Sequence, residues 1–386
     1  MGINNVVPIT VQDYRRLAKK RLPGFLFDYI DGGANKEDSM RANEEGFLNY
    51  NLIQRVMHDV DDIDTSTVLS GQAASMPLVL APIGMAGMMA RRGEVQAARS
   101  AEKAGIPFTT STVGICPLEE VQAATRSPFW FQLYMLRDRG LVKALLERAN
   151  TAGCETLVFT VDLPVAGMRH RDYRNGMLGG GFKGKVAKLA QILSHPRWVF
   201  DVGIKGKPHN FGNLREVVPN PNDLDAYKDF IDSQFDPTVT WKDIAWLRSI
   251  WEGRILIKGV MTADDAIAAA DVGADGVIVS NHGGRQLDGV ASTISSLPEV
   301  SKAVSDRVEV YMDGGVCNGI DIIKAVALGA NGVLIGRPWV WAVAGRGENG
   351  LVDMLRVFQQ EVAVGMALMG VKRIVDITAD LVTYKS

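Results

Sequence analysis

RILIKG (254–259), GVIVSNHGG (276–284), VEVYMDGG (308–315) and NGVLIGRP (331–338) follow one another through the C-terminal half of the chain. Each is a short apolar run that ends in a glycine-bearing or polar turn, and unbroken apolarity marks strands covered on both faces. Helix-like stretches such as TADDAIAAADVG (262–273) and NGIDIIKAVALG (318–329) lie between them. The same alternation runs back toward the N-terminus. PLVLAP (77–82), PFTTST (107–112), FWFQLY (129–134) and TLVFTVD (156–162) alternate with the helical patterns of 94–105, 118–126 and 138–153, and 241–253 precedes the fifth run. Eight strands with intervening helices predict an α/β fold of the (β/α)8 TIM-barrel type, with an open α/β sheet as the alternative. No G-x-G-x-x-G follows an early strand, so a dinucleotide-binding sheet lacks its phosphate turn. Thr262 stands where an N-cap belongs, and Gly105, Gly153, Gly273 and Gly329 stand where left-handed C-caps belong.

Two regions fall outside the repeat. Residues 1–75 form a leader expected to be helical, and residues 163–240 are a long insertion after the fourth strand. The remainder divides into a barrel over 76–370 and a tail over 371–386, all within one domain. Across 386 residues there are 42 Lys+Arg against 44 Asp+Glu, a formal net charge of -2, which argues against a nucleic-acid partner. The balance conceals a local excess: residues 171–207 hold eight Lys+Arg against two Asp, a net of +6. Within them FKGKVAKLAQILSHPRWVF (182–200) interleaves cations with large apolar residues, the composition of a segment lying on a membrane surface; a solvated basic loop is the plainer alternative. No signal peptide or bilayer-spanning run is expected, and three scattered cysteines suggest neither disulfides nor a metal site.

A barrel builds its site at the C-terminal ends of its strands. The polar residues there are Ser111 and Thr112, Gln132 and Tyr134, Thr160 and Asp162, Lys258, Ser280, His282 and Arg285, Asp313, and Arg337. Of five histidines, only His282 lies directly at a strand end, where it is the candidate general base, with Asp162 as the carboxylate that orients it. The turn DGGVCNG (313–319) and Arg337 in IGRPW (335–339) suit a phosphate-bearing ligand, either cofactor or substrate. A phosphosugar isomerase and a non-enzymatic phosphate-binding barrel remain open on these residues alone.

LPGFLFDYIDGGA (22–34), WFQLY (130–134), FTVD (159–162), LIKG (256–259), VSNHGGRQLDG (279–289), DGG (313–315) and IGRP (335–338) closely resemble the FMN-dependent L-2-hydroxy-acid dehydrogenase/oxidase family, over essentially the whole chain. RRGEVQAA (91–98), STVGICPLEEV (111–121) and LRDRGL (136–141) bring it nearest to the bacterial respiratory L-lactate dehydrogenases. The resemblance implies FMN as cofactor and a 2-hydroxy acid as substrate. It implies His282 as base and Asp162 as its partner, with Arg285, Arg169 and Tyr29 on the substrate carboxylate and Tyr134 beside the hydroxyl. Lys258 would face the flavin where reduction places negative charge. Ser111, Gln132, Thr160 and Ser280 would contact the flavin ring and ribityl chain, and Asp313, Gly314, Gly315, Gly336 and Arg337 the ribityl and phosphate end. Val113 falls where glycolate oxidase carries tryptophan, which leaves room for lactate; glycolate, mandelate or a longer aliphatic acid is the alternative substrate. The expected acceptor is a quinone at the cytoplasmic face of the inner membrane, reached by peripheral attachment, and relatives are commonly tetramers. One position departs from the pattern. Many relatives carry arginine where this chain has Cys317, and a neutral thiol cannot replace a charge-assisted fork.

Overall fold

The computed structural model describes residues 7–178, 181–215 and 233–385. Three helices lead: α1 (Val11–Arg21), α2 (Gly24–Asp31) and α3 (Asp38–Glu45). Thr10 and Asp13 close a capping box at the start of α1. The sequence suggests a helical leader over 1–75, but its second half is built of short strands, whose three-residue lengths leave no pattern to read. Strand β1 (Tyr50–Leu52) follows, and then a hairpin of β2 (Thr67–Leu69) and β3 (Gln72–Ala74), turning at Ser70 and Gly71, both with positive φ. The pairing of two φ > 0 residues is what a tight two-residue hairpin requires.

The barrel strands are β4 (Leu78–Leu80), β5 (Thr109–Ser111), β6 (Trp130–Leu133), β7 (Thr156–Thr160), β8 (Arg254–Val260), β9 (Gly276–Val279), β10 (Glu309–Asp313) and β11 (Gly332–Ile335). All eight coincide with the apolar runs. They pair in parallel in the order β4-β11-β10-β9-β8-β7-β6-β5, and a bridge from Leu80 to Phe108 closes the ring. Val79, Trp130, Val158, Leu256, Ile278, Tyr311 and Leu334 form one buried cluster with Leu69 and Ala74, so the β2–β3 hairpin joins the core that fills the barrel. Trp130 and Tyr311 meet edge to face at 5.8 Å.

The outer layer runs α4 (Ala86–Met89), α5 (Gly93–Ala104), α6 (Leu118–Ala124) and α7 (Arg139–Thr151), then α8 (His170–Arg174), α9 (Gly181–Leu193) and α10 (Pro196–Trp198) in the insertion. It continues with α11 (Trp241–Ile250), α12 (Ala263–Asp271), α13 (Thr293–Val304), α14 (Gly319–Ala327) and α15 (Arg337–Leu368). Thr262 caps α12 by accepting from the Asp265 N–H, and the four glycines expected at C-caps all have positive φ. Helix α13 escapes the sequence pattern because Pro298 lies inside it. The tail returns as β12 (Val382–Tyr384), antiparallel to β1.

Candidate functional site

The strand ends open into a cavity of about 710 Å³. Of the residues singled out from the sequence, Tyr29, Val113, Tyr134, Thr160, Arg169, Lys258, His282, Arg285, Asp313, Gly314, Gly315, Gly336 and Arg337 line it. Ser111, Gln132, Ser280 and Asp162 stand behind this lining and act on it through contacts. Ser111 Oγ donates to Gln132 Oε1 at 3.0 Å, across the β5–β6 register pair. Lys258 Nζ donates to Ser280 Oγ at 2.8 Å and pairs with Asp313 at 2.9 Å.

His282 sits at the tip of the turn after β9 with φ of 57°, followed by Gly283 and Gly284 at 63° and 71°. A left-handed imidazole-bearing residue is strained. The turn is held by the His282 N–H donating to Ser280 Oγ at 3.0 Å and by the Gly284 N–H donating to Asn281 Oδ1 at 3.0 Å. Nδ1 of His282 lies 2.8 Å from Asp162 Oδ1. Burial lowers the imidazole pKa below its ordinary value, and nearby Lys258 adds to this against the pull of Asp162. The ring is therefore neutral at pH 7, with Nδ1–H donating to Asp162 and Nε2 carrying the free lone pair. Burial pushes the Asp162 carboxyl up, but His282 and Lys258 outweigh it and hold the group below the usual range. For Lys258, burial works against the charge, and Asp313 and Asp162 overcome it.

Asp162 fits its place because of a residue that sequence reasoning missed. β8 bulges between Lys258 and Val260, and Gly259 adopts φ of 110° there. A Cβ at Gly259 would fall 2.6 Å from Asp162 Cβ. The LIKG string carries this glycine, but only the register of β8 against β9 reveals its purpose.

Arg285 donates through one nitrogen to the carbonyls of Tyr29 and Gly32, at 2.7 and 2.8 Å, and its guanidinium lies 5.2 Å from the Tyr29 ring centroid. Burial and then Arg169 hold its pKa down to about 9, so it remains a cation at neutral pH. Arg169 reaches back toward the Arg285 carbonyl at 3.4 Å. Arg169, Arg285, Tyr29, Tyr134 and His282 thus share one cavity, a set that suits a planar carboxylate next to a proton that must be removed. Burial, and next to it the charge of Asp162, pushes the Tyr134 hydroxyl well above its ordinary pKa, so it stays a neutral donor. Arg337 donates to the carbonyls of Asp31, Gly283 and Gly32, at 3.2, 2.9 and 2.9 Å. Glu44 and Cys317, neither of them a site residue from the strand-end rule, line the same cavity.

The insertion covers part of the mouth. Lys185, Lys188, Leu189 and Ile192 of α9 and Trp198 of α10 line the cavity against Met88 of α4, whose carbonyl accepts from Trp198 Nε1 at 2.9 Å. The local excess of +6 is partly compensated by residues outside the segment: Arg171 binds Asp31 at 2.8 Å and Glu37 at 2.5 Å.

A model of the FMN-dependent dehydrogenase family matches residues 18–384. The L-lactate dehydrogenase of Alcaligenes faecalis is 48% identical over 369 residues, covering 96% of this chain and 97% of that protein. That of Yersinia pestis (strain Pestoides F) is 48% identical over 368 residues, covering 95% of this chain and 96% of its own. Among solved structures, the monotopic membrane protein (S)-mandelate dehydrogenase superposes with a TM-score of 0.91 at 33% identity, covering 98% of this chain and 99% of that one. A mandelate oxidase gives 0.84 at 34% identity, with 97% and 98% covered. The barrel mouth fits the cofactor that the family model names. Gln132 Nε2, Thr160 Oγ1 and Asp313 Oδ1 are buried there without a hydrogen-bond partner among the described residues, as the edge of a heterocycle and a ribityl chain would require.

Proposed function

This chain belongs to the FMN-dependent dehydrogenase family, and on that premise we propose that it oxidises L-lactate to pyruvate and passes the electrons to a membrane quinone. The observation that carries the reading is the Asp162–His282 pair at 2.8 Å inside a cavity shared with Arg285, Arg169, Tyr29 and Tyr134. FMN, when bound, supplies the two-electron acceptor at the barrel mouth. Gln132, Thr160, Ser111, Ser280 and Lys258 would hold its ring, and Asp313, Gly314, Gly315, Gly336 and Arg337 its ribityl and phosphate end.

The residues of the chain do the rest. Arg285 and Arg169 hold the lactate carboxylate, with Tyr29 adding a phenol hydrogen bond. Tyr134, kept protonated, donates to the substrate oxygen. His282 Nε2 takes a proton from the substrate, and Asp162 steadies the imidazolium that forms. Lys258 supplies a fixed positive charge for the negative charge that reduction places nearby. Val113 leaves the methyl of lactate room; a Cβ at Gly84 would already fall 2.8 Å from its Cγ2, so the wall is close.

The acceptor reading is supported by the insertion. No described helix is long and apolar enough to cross a membrane. Phe182 is 82% exposed and Leu193 69%, with Val186 of α9 and, just after α10, Phe200 and Ile204 also exposed. Leu189 belongs both to this outer apolar face and to the cavity lining, which joins the bilayer side to the site. The monotopic neighbour supports attachment to the membrane surface without crossing it. The test is anaerobic: L-lactate should bleach the flavin of the purified protein, and reoxidation should follow addition of a short-chain quinone. Failure of L-lactate to bleach it, with mandelate or glycolate succeeding, would refute the substrate assignment.

A further inference from the structure

Where the phosphate of the cofactor would lie, the cavity is lined by the Gly314–Gly315 turn after β10 and by Gly336 and Arg337 at the start of α15. The C-terminal end of α3 packs directly onto that turn. A Cβ on Gly315 would fall 2.0 Å from the Asn43 carbonyl oxygen and 3.0 Å from the Glu44 backbone nitrogen. The chain continues from α3 into a 3-10 turn over Gly46–Asn49, and the Asn43 carbonyl oxygen it turns toward Gly315 carries partial negative charge, a neighbour unfavourable to an anion. Glu44 itself, in the last turn of α3, lines the cavity alongside Cys317.

The nearby cations compensate only in part. Glu44 interacts with Arg337 and Arg15 on the positive side, and with Asp31 and Glu45 on the negative. Arg15 is held by Asp31 at 2.5 and 2.7 Å, and three carbonyls share the Arg337 guanidinium. Cys317 adds no charge: burial, and then Glu44 and Asp321, push its thiol far up. Glu44 is exposed as a whole residue, and partial desolvation of its carboxyl against the cavity wall still pushes its pKa above the ordinary value, against the pull of Arg337 and Arg15.

We propose that Glu44 is a negative determinant of cofactor retention: together with the neutral Cys317 it opposes the phosphate of FMN at the Gly314–Gly315 turn, so the cofactor exchanges with solution. Backbone N–H groups of the turn and of the α15 N-terminus, with Arg337, would then be what holds the phosphate. This rests on the FMN reading and adds to it a residue that weakens binding.

The experiment follows release of flavin from the holoenzyme after dilution, by recovery of free-flavin fluorescence, and rebinding of FMN and of riboflavin, which lacks the phosphate. Glu44→Gln should tighten FMN about tenfold, the order expected for removing one partly screened unit charge from the cavity that would hold a dianion. Riboflavin affinity should not change, the FMN gain should shrink at about 1 M salt, and Glu44→Asp should behave as the parent. Cys317→Arg should add a further salt-sensitive gain for FMN alone. Unchanged FMN affinity in Glu44→Gln, or an equal gain for riboflavin, overturns the proposal. Failure of the parent protein to bind either flavin would overturn the cofactor reading as well, which separates the two failures.

Discussion

Replacing Gly259 by alanine tests whether the bulge in β8 exists to admit Asp162. The new Cβ would lie 2.6 Å from Asp162 Cβ, 2.8 Å from its Cγ and 2.9 Å from its backbone nitrogen. Carbon atoms in contact prefer about 3.5–4.0 Å, so Asp162 must retreat by about 1 Å. Its bond to His282, now 2.8 Å, would then stretch beyond the range of a hydrogen bond. Loss of a charge-assisted bond of about 1.5–3 kcal/mol corresponds to about 10- to 150-fold in the rate of flavin reduction. The φ of 110° adds about 1–3 kcal/mol of backbone strain for any residue with a Cβ. Gly153→Ala separates the two effects. Gly153 has φ of 81° at the end of α7, and a Cβ there meets nothing within 4 Å. Both variants should lose stability in urea, and only Gly259→Ala should lose catalysis, measured by anaerobic stopped-flow reduction with L-lactate. A Gly259→Ala protein that reduces its flavin at the parent rate would refute the reasoning.

His282→Gln should keep FMN and lower flavin reduction by about 10²–10⁴-fold or more, read as loss of bleaching with an unchanged resting spectrum. Because His282 must be neutral and its pKa lies below 6.5, kcat/KM should fall only as pH drops below that value. Asp162→Asn, which removes a group that raises this pKa, should move the acid limb lower still. Asp321, buried at the start of α14, has a carboxyl pushed up to about 6, chiefly by burial, against an ordinary 3.8. A pKa raised on folding contributes stability that is present below 3.8 and is lost as pH rises through about 6. Asp321→Asn should therefore raise unfolding free energy at pH 7 by on the order of 1–3 kcal/mol and leave pH 4 little changed, by urea titration. Replacing Phe182, Leu193 and Phe200 by serine should release the protein from anionic vesicles while sparing dye reduction by lactate. Retained vesicle binding would count against membrane docking by this face.

Much of the molecule was legible in the chain because the information is local. A strand buried on both faces is mostly apolar, so LVL, GVIV and GVLI announce themselves, TTS shows through its β-branched threonines, and glycines mark helix ends wherever φ turns positive. The strand-end rule then named His282, Asp162, Lys258 and Arg337 without a structure, since a parallel barrel puts every strand C-terminus on one face. Helix α13 was not legible, because a proline inside it mimics a boundary. The hairpin that joins the barrel core was not legible either, because three-residue strands carry too little pattern to distinguish from a loop.

The sequence by itself determined the barrel, its site face and the residues able to do acid–base and anion-binding chemistry there. Only the tertiary structure decided how those residues are spent. Arg171, counted as a surface cation, is paired with Asp31 and Glu37. Arg337, read as a free fork for phosphate, is shared among three carbonyls, and Glu44, unremarkable in the chain, stands beside Cys317. The reason is physical: residue identity fixes what a group can donate, accept or carry, but its net charge toward a ligand depends on neighbours brought from hundreds of residues away.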